Sequence, residues 1–146
     1  MDELNNKKKL NLTITTPRGV KFEEEADMVI MRVLDGNIGV LPGHERISTV
    51  LGDGILRFIN NDVERKLAVF SGIAEVNDDN INIFTTIAQP PEEIDLERAE
   101  QDRQKAEAAL AEKPKEPYLQ RAHLMIRRSS VRIEVSQEYS ENISDD

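Results

Sequence analysis

The sequence contains no cysteine, no tryptophan and only two histidines among its 146 residues. The absence of cysteine excludes disulfides, thiol catalysis and every cysteine-ligated metal or cluster site. His44 and His123 are too few to form a histidine-rich metal site. The chain therefore has little of the chemistry on which metalloproteins and thiol enzymes depend.

Aromatic residues are also scarce, at 4% of the chain, and 28 acidic residues outnumber 19 basic ones, for a net charge of −9. A nucleic-acid partner requires a basic face that meets the phosphate backbone. Stacking of unpaired bases requires aromatic side chains. The composition therefore predicts no nucleic-acid partner.

No apolar run approaches the roughly 20 residues that an α-helix needs to span a bilayer. Lys7, Lys8 and Lys9 precede Leu10–Thr15, where apolar and polar residues alternate. That alternation predicts a strand, since a signal peptide has a continuous apolar core. We therefore expect no direct insertion into a membrane.

The common catalytic motifs are missing as well. Gly52-Asp53-Gly54 lies between predicted strands and lacks the lysine of a phosphate-binding loop. The chain contains neither GxSxG nor HExxH, and no pair of carboxylates stands out as an acid and base. These absences predict a protein that is not catalytic alone.

The first 89 residues show the pattern of short strands that are separated by turn residues. The predicted strands are Leu10–Thr15, Met28–Val33, Ile38–Leu41, Ile55–Ile59, Lys66–Phe70, Ile73–Val76 and Ile81–Ile87. A recurrence at roughly 8–12 residues is typical of a sandwich or barrel. We therefore predict an N-terminal antiparallel β-sandwich over residues 1–89.

The remainder of the chain has a different character, beginning with a linker at residues 90–93 that contains two consecutive prolines. It has no glycine and is rich in helix formers. The pattern predicts helices at Ile94–Ala111 and Tyr118–Ser136, which form an antiparallel hairpin over residues 94–136. We expect the acidic segment 137–146 to be disordered.

Two short segments stand out from this background. Gly39–His44 is a strand that runs into a proline–glycine turn, which by itself is an ordinary turn with an exposed histidine. Ile94–Ala99 opens the first helix, where Asp95 and Glu97 complement the helix dipole. By itself that segment is an ordinary charged first turn.

The second helix carries a basic set, with no acidic residue between positions 117 and 133: Arg121, Arg127, Arg128 and Arg132. By itself this is a solvated basic face. An antiparallel hairpin, however, places the end of this helix beside the start of the first, which gathers Arg98, Arg128 and Arg132. Neighbouring guanidiniums repel one another unless an anion lies between them, and phosphates match their geometry. The hairpin is therefore a candidate polyphosphate site.

The order of these parts resembles the epsilon subunit of bacterial F-type ATP synthases. The resemblance covers residues 10–136 and depends on Leu12–Pro17, Asp35–His44 and Ser71–Val76. In addition, Ile94–Ala99 is similar to the ATP-binding signature of that family, Ile/Leu-Asp-x-x-Arg-Ala.

The resemblance implies a non-catalytic rotor subunit of the central stalk, which couples ion flow to ATP synthesis. Its sandwich would bind the gamma subunit and the c-ring. Its hairpin would extend into the alpha/beta catalytic head and inhibit ATP hydrolysis. The subunit would lie peripherally at the cytoplasmic face of the bacterial plasma membrane. No cofactor is implied, and ATP, with or without magnesium, would act as a regulatory ligand.

The resemblance also implies roles for individual residues. Asp35 matches the acidic contact to the c-ring loops, and His44 matches the histidine that faces gamma. The residues that match the nucleotide signature and the phosphate-binding positions are Ile94, Asp95, Arg98, Ala99, Arg128 and Arg132. Two features depart from the ATP-binding members, since Gln89 replaces an acidic residue and Pro90-Pro91 stiffens the linker.

Two other functions are compatible with these patterns. A stand-alone ATP-sensing or adaptor protein could use the same hairpin without any motor. A small enzyme is the least favoured, because no nucleophile and base occur together in a recognisable motif. Co-purification with gamma and with ATPase activity distinguishes a rotor subunit from both.

Overall fold

The structure, a computed structural model, describes the backbone of residues 8–144 and the side chains of residues 8–138. The strands are β1 Leu10–Thr16, β2 Gly19–Ala26, β3 Met28–Val33, β4 Gly36–Val40, β5 Ile47–Leu51, β6 Gly54–Asn60, β7 Val63–Phe70, β8 Gly72–Asn77, β9 Asn80–Phe84 and β10 Ile87–Gln89. A 3₁₀ turn at Pro91–Glu93 precedes helices α1 Leu96–Ala111 and α2 Tyr118–Ser144. This order confirms the predicted β-sandwich followed by a two-helix hairpin.

The backbone contacts divide the chain into two compact units, residues 1–88 and 89–146. Strands up to β9 and most of β10 belong to the first unit, and both helices belong to the second. No helix within residues 8–144 is both long enough and apolar enough to cross a membrane.

The strands pair in the order β10-β7-β6-β3-β5-β8-β9-β1-β2. Strand β4 lies outside this order and pairs with β3 along the edge opposite to β5 and β6. The sequence predicts an antiparallel sandwich, and one pair departs from that prediction, because β1 pairs with β9 in parallel, with Leu12 opposite Ile81. The prediction was wrong at this pair because β1 and β9 are far apart in sequence. Only strands that a short hairpin joins must run antiparallel.

Two strands were not predicted from the sequence. Three consecutive glutamates, Glu23–Glu25, hide the alternation of β2, which forms an edge of the sheet and directs Ala26 into the core. On strand β5 the apolar Val50 is exposed, so apolar and polar residues do not alternate along this strand and the sequence does not reveal it. The predicted strand Ile81–Ile87 is interrupted at Thr85, whose hydroxyl lies 2.7 Å from the main-chain oxygen of Ser71.

The core of the sandwich follows the period-two pattern of its central strands. Leu10, Leu12 and Ile14 of β1 are at most 1% exposed, as are Ile81 and Ile83 of β9. Burial of apolar side chains stabilises a fold by roughly 25 cal/mol per Å² that is removed from water. The strands are therefore held together by this apolar layer.

The helical unit begins later and ends later than the sequence predicted. Ile94 is extended rather than helical, because the 3₁₀ turn ends there and Asp95 caps α1. Helix α2 continues to Ser144, so the prediction of a disordered tail was wrong for residues 137–144, while residues 145–146 lie outside the described residues. Continuation is favourable because no glycine or proline follows Pro117.

The buried positions of the hairpin are occupied mainly by small side chains. They are Ala99 and Ala106 on α1 and Ala122, Ser129, Ile133, Val135 and Ser136 on α2. Ser129 uses its hydroxyl within its own helix, where it donates to the main-chain oxygen of Met125 at 2.6 Å. Small side chains bury little apolar area, so the helices are held together weakly relative to the sandwich.

Candidate functional site

The predicted nucleotide signature lies at the start of α1. The Asp95 carboxylate accepts a hydrogen bond from the main-chain N–H of Arg98 at 3.1 Å, which is the usual N-cap arrangement. Ala99 is buried, whereas the side chain of Arg98 is exposed. Ile94 lies half-buried just before the cap and donates its N–H to the oxygen of Pro91 at 3.1 Å. The signature therefore shapes the helix start and directs one arginine outward.

Arg132 of α2 is the centre of a cluster of charges in the second unit. Burial lowers the pKa of the Arg132 guanidinium from its ordinary value, and the positive charges of Arg128 and Arg98 lower this pKa further. The carboxylate of Asp102 opposes them and raises the pKa. The structure therefore brings together the three arginines that the sequence predicted, with one carboxylate beside them.

Gln89 holds the central arginine of this cluster. The Nε–H of Arg132 donates to the Oε1 atom of Gln89 over 2.7 Å. Gln89 is neutral, so it fixes the guanidinium without compensating its charge. The sequence identified Gln89 only as a departure from an acidic position, and no local pattern indicates that its side chain reaches a residue 43 positions away.

Several charged side chains lie near one another in this cluster. The positive charges of Arg98 and Arg128 and the negative charge of Asp102 all act on the Arg132 guanidinium. Arg132 is half-buried, and charges interact more strongly where water is partly excluded. A phosphate group suits the planar forks of guanidinium groups.

Asp35 and His44 lie at opposite ends of the β3–β4 hairpin. Asp35 is exposed in the turn beside the Val33–Gly36 pair. His44 follows Val40, which pairs with Val29 at the other end of the same ladder. The structure therefore separates these two predicted contact residues by the length of a strand.

An exposed apolar patch lies beside Asp35. Val50, Ile73 and Phe84 are cross-strand partners on β5, β8 and β9, and each remains about half exposed. Leu34, next to Asp35, is 69% exposed. We call Leu34, Val50, Ile73 and Phe84 the apolar patch. Sequence reasoning missed the patch because its members come together only through strand pairing. A contiguous apolar surface rimmed by polar groups marks an interaction site.

The loop that carries His44 is ordered by main-chain hydrogen bonds. The N–H of His44 donates to the oxygen of Leu41 at 3.1 Å. The ring Nδ1 lies 2.7 Å from the main-chain oxygen of Glu45 and, because a carbonyl oxygen only accepts, Nδ1 is the donor. The imidazole thus has a defined orientation. Among the described residues, no group of three or more potential metal ligands occurs.

Comparison with known proteins covers both units. The family described as "ATP synthase, Delta/Epsilon chain, beta-sandwich domain" matches residues 9–91, and "ATP synthase, Delta/Epsilon chain, long alpha-helix domain" matches residues 92–137. The ATP synthase epsilon chain of Herpetosiphon aurantiacus is 37% identical over 127 residues, which are 87% of this chain and 93% of that protein. The chloroplastic epsilon chain of Citrus sinensis is 34% identical over 126 residues, which are 86% of this chain and 95% of that protein.

A solved structure agrees with these sequence relatives. A chain in the cryo-EM structure of the Euglena gracilis mitochondrial ATP synthase, OSCP/F1/c-ring in rotational state 1, has a TM-score of 0.77 and 26% sequence identity. The match covers 88% of this chain and 81% of that chain. Because both domains match in the same order and the reported relatives exceed 30% identity, the chain belongs to the ATP synthase delta/epsilon family, as an epsilon chain of an F-type ATP synthase.

Proposed function

We propose that this chain is a non-catalytic rotor subunit of the central stalk, where it couples ion flow to ATP synthesis in the assembled enzyme. The observation that carries the proposal is the match of both family domains, in order, over residues 9–137. The scarcity of catalytic motifs in the sequence agrees with a part that transmits torque while another subunit performs the chemistry.

The sandwich provides the contacts within the stalk. We assign the apolar patch to the gamma subunit, because half-exposed Val50, Ile73 and Phe84 need an apolar partner that covers them. Asp35 borders this patch and would meet the c-ring loops, while His44 would contact gamma from the other end of the hairpin. These contacts make the subunit peripheral, at the cytoplasmic face of a bacterial plasma membrane.

The helical hairpin provides regulation. Its buried positions are mostly small residues, so little apolar surface opposes its opening. When extended, the basic segment of α2 would meet acidic surfaces of the alpha/beta catalytic head and inhibit ATP hydrolysis. The folded hairpin is the state that holds Arg98 and Arg132 together.

ATP would select between these two states. A ligand shifts a conformational equilibrium only by the difference between its affinities for the two states. The folded hairpin holds the three arginines near one another, so the phosphates of ATP, with or without magnesium, would stabilise that state. High ATP would therefore keep the hairpin folded and relieve inhibition.

The first test concerns the complex. The unchanged chain carrying an affinity tag, expressed with the other ATP synthase subunits, is expected to co-purify with gamma and with ATPase activity. Deletion of residues 90–146 is expected to raise ATP hydrolysis without preventing assembly. Unchanged hydrolysis after the deletion would argue against inhibition, and absence of gamma from the purified sample would refute the rotor assignment.

The second test concerns ATP. Calorimetric titration of the full chain with ATP and magnesium is expected to saturate, and Arg98→Ala is expected to reduce affinity. Arg103→Ala is the matched control, because Arg103 lies on the same helix and pairs only weakly with Glu107, at 3.9 Å. Equal affinities of the two variants would refute an ATP site at the cluster.

A stand-alone ATP-sensing or adaptor protein is the second candidate, and the arginine cluster is the observation that favours it. It predicts saturable ATP binding by a chain that does not co-purify with gamma. The two tests together therefore separate this candidate from a rotor subunit.

A further inference from the structure

The turn between β8 and β9 holds the loop that carries His44. The carboxylate Oδ1 of Asp79 accepts a hydrogen bond from the main-chain N–H of Gly43 at 2.7 Å. Beside it, Arg46 and Asp78 form an exposed ion pair at 3.0 Å. The loop and the turn come from positions 36 residues apart, so this connection is a product of the tertiary structure.

Asp79 is itself held firmly. Its main-chain oxygen accepts a hydrogen bond from the N–H of Asn11 at 2.8 Å, which connects the turn to β1. Its φ of +66° follows a φ of +50° at Asp78, and two positive φ values define a tight hairpin turn. A rigid turn therefore positions the Asp79 carboxylate against the loop between β4 and β5, whose residues do not belong to a strand.

The loop presents side chains that suit a protein partner. Leu41 is 55% exposed, and His44 has an imidazole whose orientation is fixed by its bond to the oxygen of Glu45. Gly43, between them, has a φ of +86°, which only glycine adopts readily. A loop that is already ordered before binding loses less conformational entropy when it docks.

We propose that Asp79 is a positioning residue that pre-orders the Leu41–His44 loop for docking to the gamma subunit. The inference rests on the proposed function, in which His44 meets gamma. Asp79 acts through the Gly43 N–H and does not itself contact the partner. The loop fits a partner surface with an apolar site for Leu41 and a polar group for the imidazole.

The test uses three variants of the full chain. Asp79→Gly removes the carboxylate and keeps a backbone that tolerates positive φ, while Asp79→Asn keeps an oxygen that accepts the Gly43 N–H. Asp62→Gly is the matched control, because Asp62 occupies the β6–β7 turn at a φ of +65°. Amide hydrogen exchange at Gly43, thermal stability and the dissociation rate from immobilised gamma are measured for each variant.

We expect Asp79→Gly and Asp62→Gly to have similar thermal stability. Only Asp79→Gly should speed amide exchange at Gly43. It should also raise the dissociation rate from gamma by about 5- to 10-fold, which corresponds to about 1–1.4 kcal/mol. For Asp79→Asn, the exchange rate at Gly43 and the dissociation rate from gamma should both be close to those of the unchanged chain.

Three outcomes would overturn the inference. Equal dissociation rates for Asp79→Gly and Asp62→Gly refute positioning while leaving the rotor assignment intact. An Asp79→Asn variant as weak as Asp79→Gly shows that charge, rather than the bond to Gly43, is responsible. Failure of the unchanged chain to bind gamma refutes the proposed function together with this inference.

Discussion

Substitution of Gly72 by alanine should destabilise the sandwich more than any other glycine-to-alanine change at a positive φ. An ideal Cβ on Gly72 would overlap the main-chain oxygen of Phe84 and would lie 3.1 Å from the Cβ of Thr85. The backbone oxygen belongs to the paired strand β9 and cannot move aside like a flexible side chain. Gly72 begins β8, which carries Ile73 of the apolar patch, so the clash would also disturb that patch.

The magnitude follows from two separate costs. A φ of +132° belongs to a region that is almost exclusive to glycine, and an alanine there costs about 1–3 kcal/mol. Relief of the clash by movement of the backbone adds about 1–3 kcal/mol, as overpacking usually does. The total free energy of unfolding should therefore fall by about 2–6 kcal/mol.

Two other glycines provide the control. Gly19 at +113° and Gly36 at +143° bracket the φ of Gly72, and neither has an atom within 4 Å of its ideal Cβ. Gly19→Ala and Gly36→Ala therefore report the conformational cost alone. Urea unfolding followed by circular dichroism should show that Gly72→Ala is less stable than both by about 1–3 kcal/mol. Equal stability of the three variants would refute the argument that the contact with Phe84 requires glycine.

Three further changes test other parts of the molecule. Thr85→Val removes the buried hydroxyl and leaves its main-chain partner without a donor, so the free energy of unfolding in urea titrations should fall by about 1–3 kcal/mol. Thr85→Ser keeps the hydroxyl and should lower the free energy of unfolding by less. Ile73→Asp should weaken capture of gamma in pull-downs without loss of thermal stability. Val63→Asp, at an exposed apolar site outside the apolar patch, should leave capture intact. Gln89→Leu removes the acceptor of the 2.7 Å hydrogen bond from Arg132. It should reduce ATP affinity, measured by calorimetry, by about 5-fold, or about 1 kcal/mol. Retained affinity would show that ATP binding does not depend on this hydrogen bond.

The candidate anion site could be predicted in part, because it depends on helix geometry. Antiparallel pairing of two helices across a short connection predicts that Arg98, Arg128 and Arg132 lie near one another. In the structure the charges of Arg98 and Arg128 act on Arg132. The role of Gln89 could not be predicted, since it arises from a side-chain contact between distant positions. The same is true of Asp79, whose carboxylate reaches Gly43 across two loops.

Local patterns determined the division of this chain into a sandwich and a helical hairpin. Alternation of apolar residues and turn chemistry are properties of neighbouring residues, so Met28–Val33 was predicted as a strand with the bounds that the structure gives. The absence of cysteine likewise excluded several chemistries from the sequence alone.

Only the tertiary structure decided which strands are neighbours and what their pairing exposes. The parallel pairing of β1 with β9 and the row of Val50, Ile73 and Phe84 depend on contacts between distant segments. A long intervening chain leaves the direction and register of pairing open, and the burial of the whole core then selects among them. The apolar patch of this chain is therefore set by strand pairing, while its two kinds of secondary structure are set by local sequence.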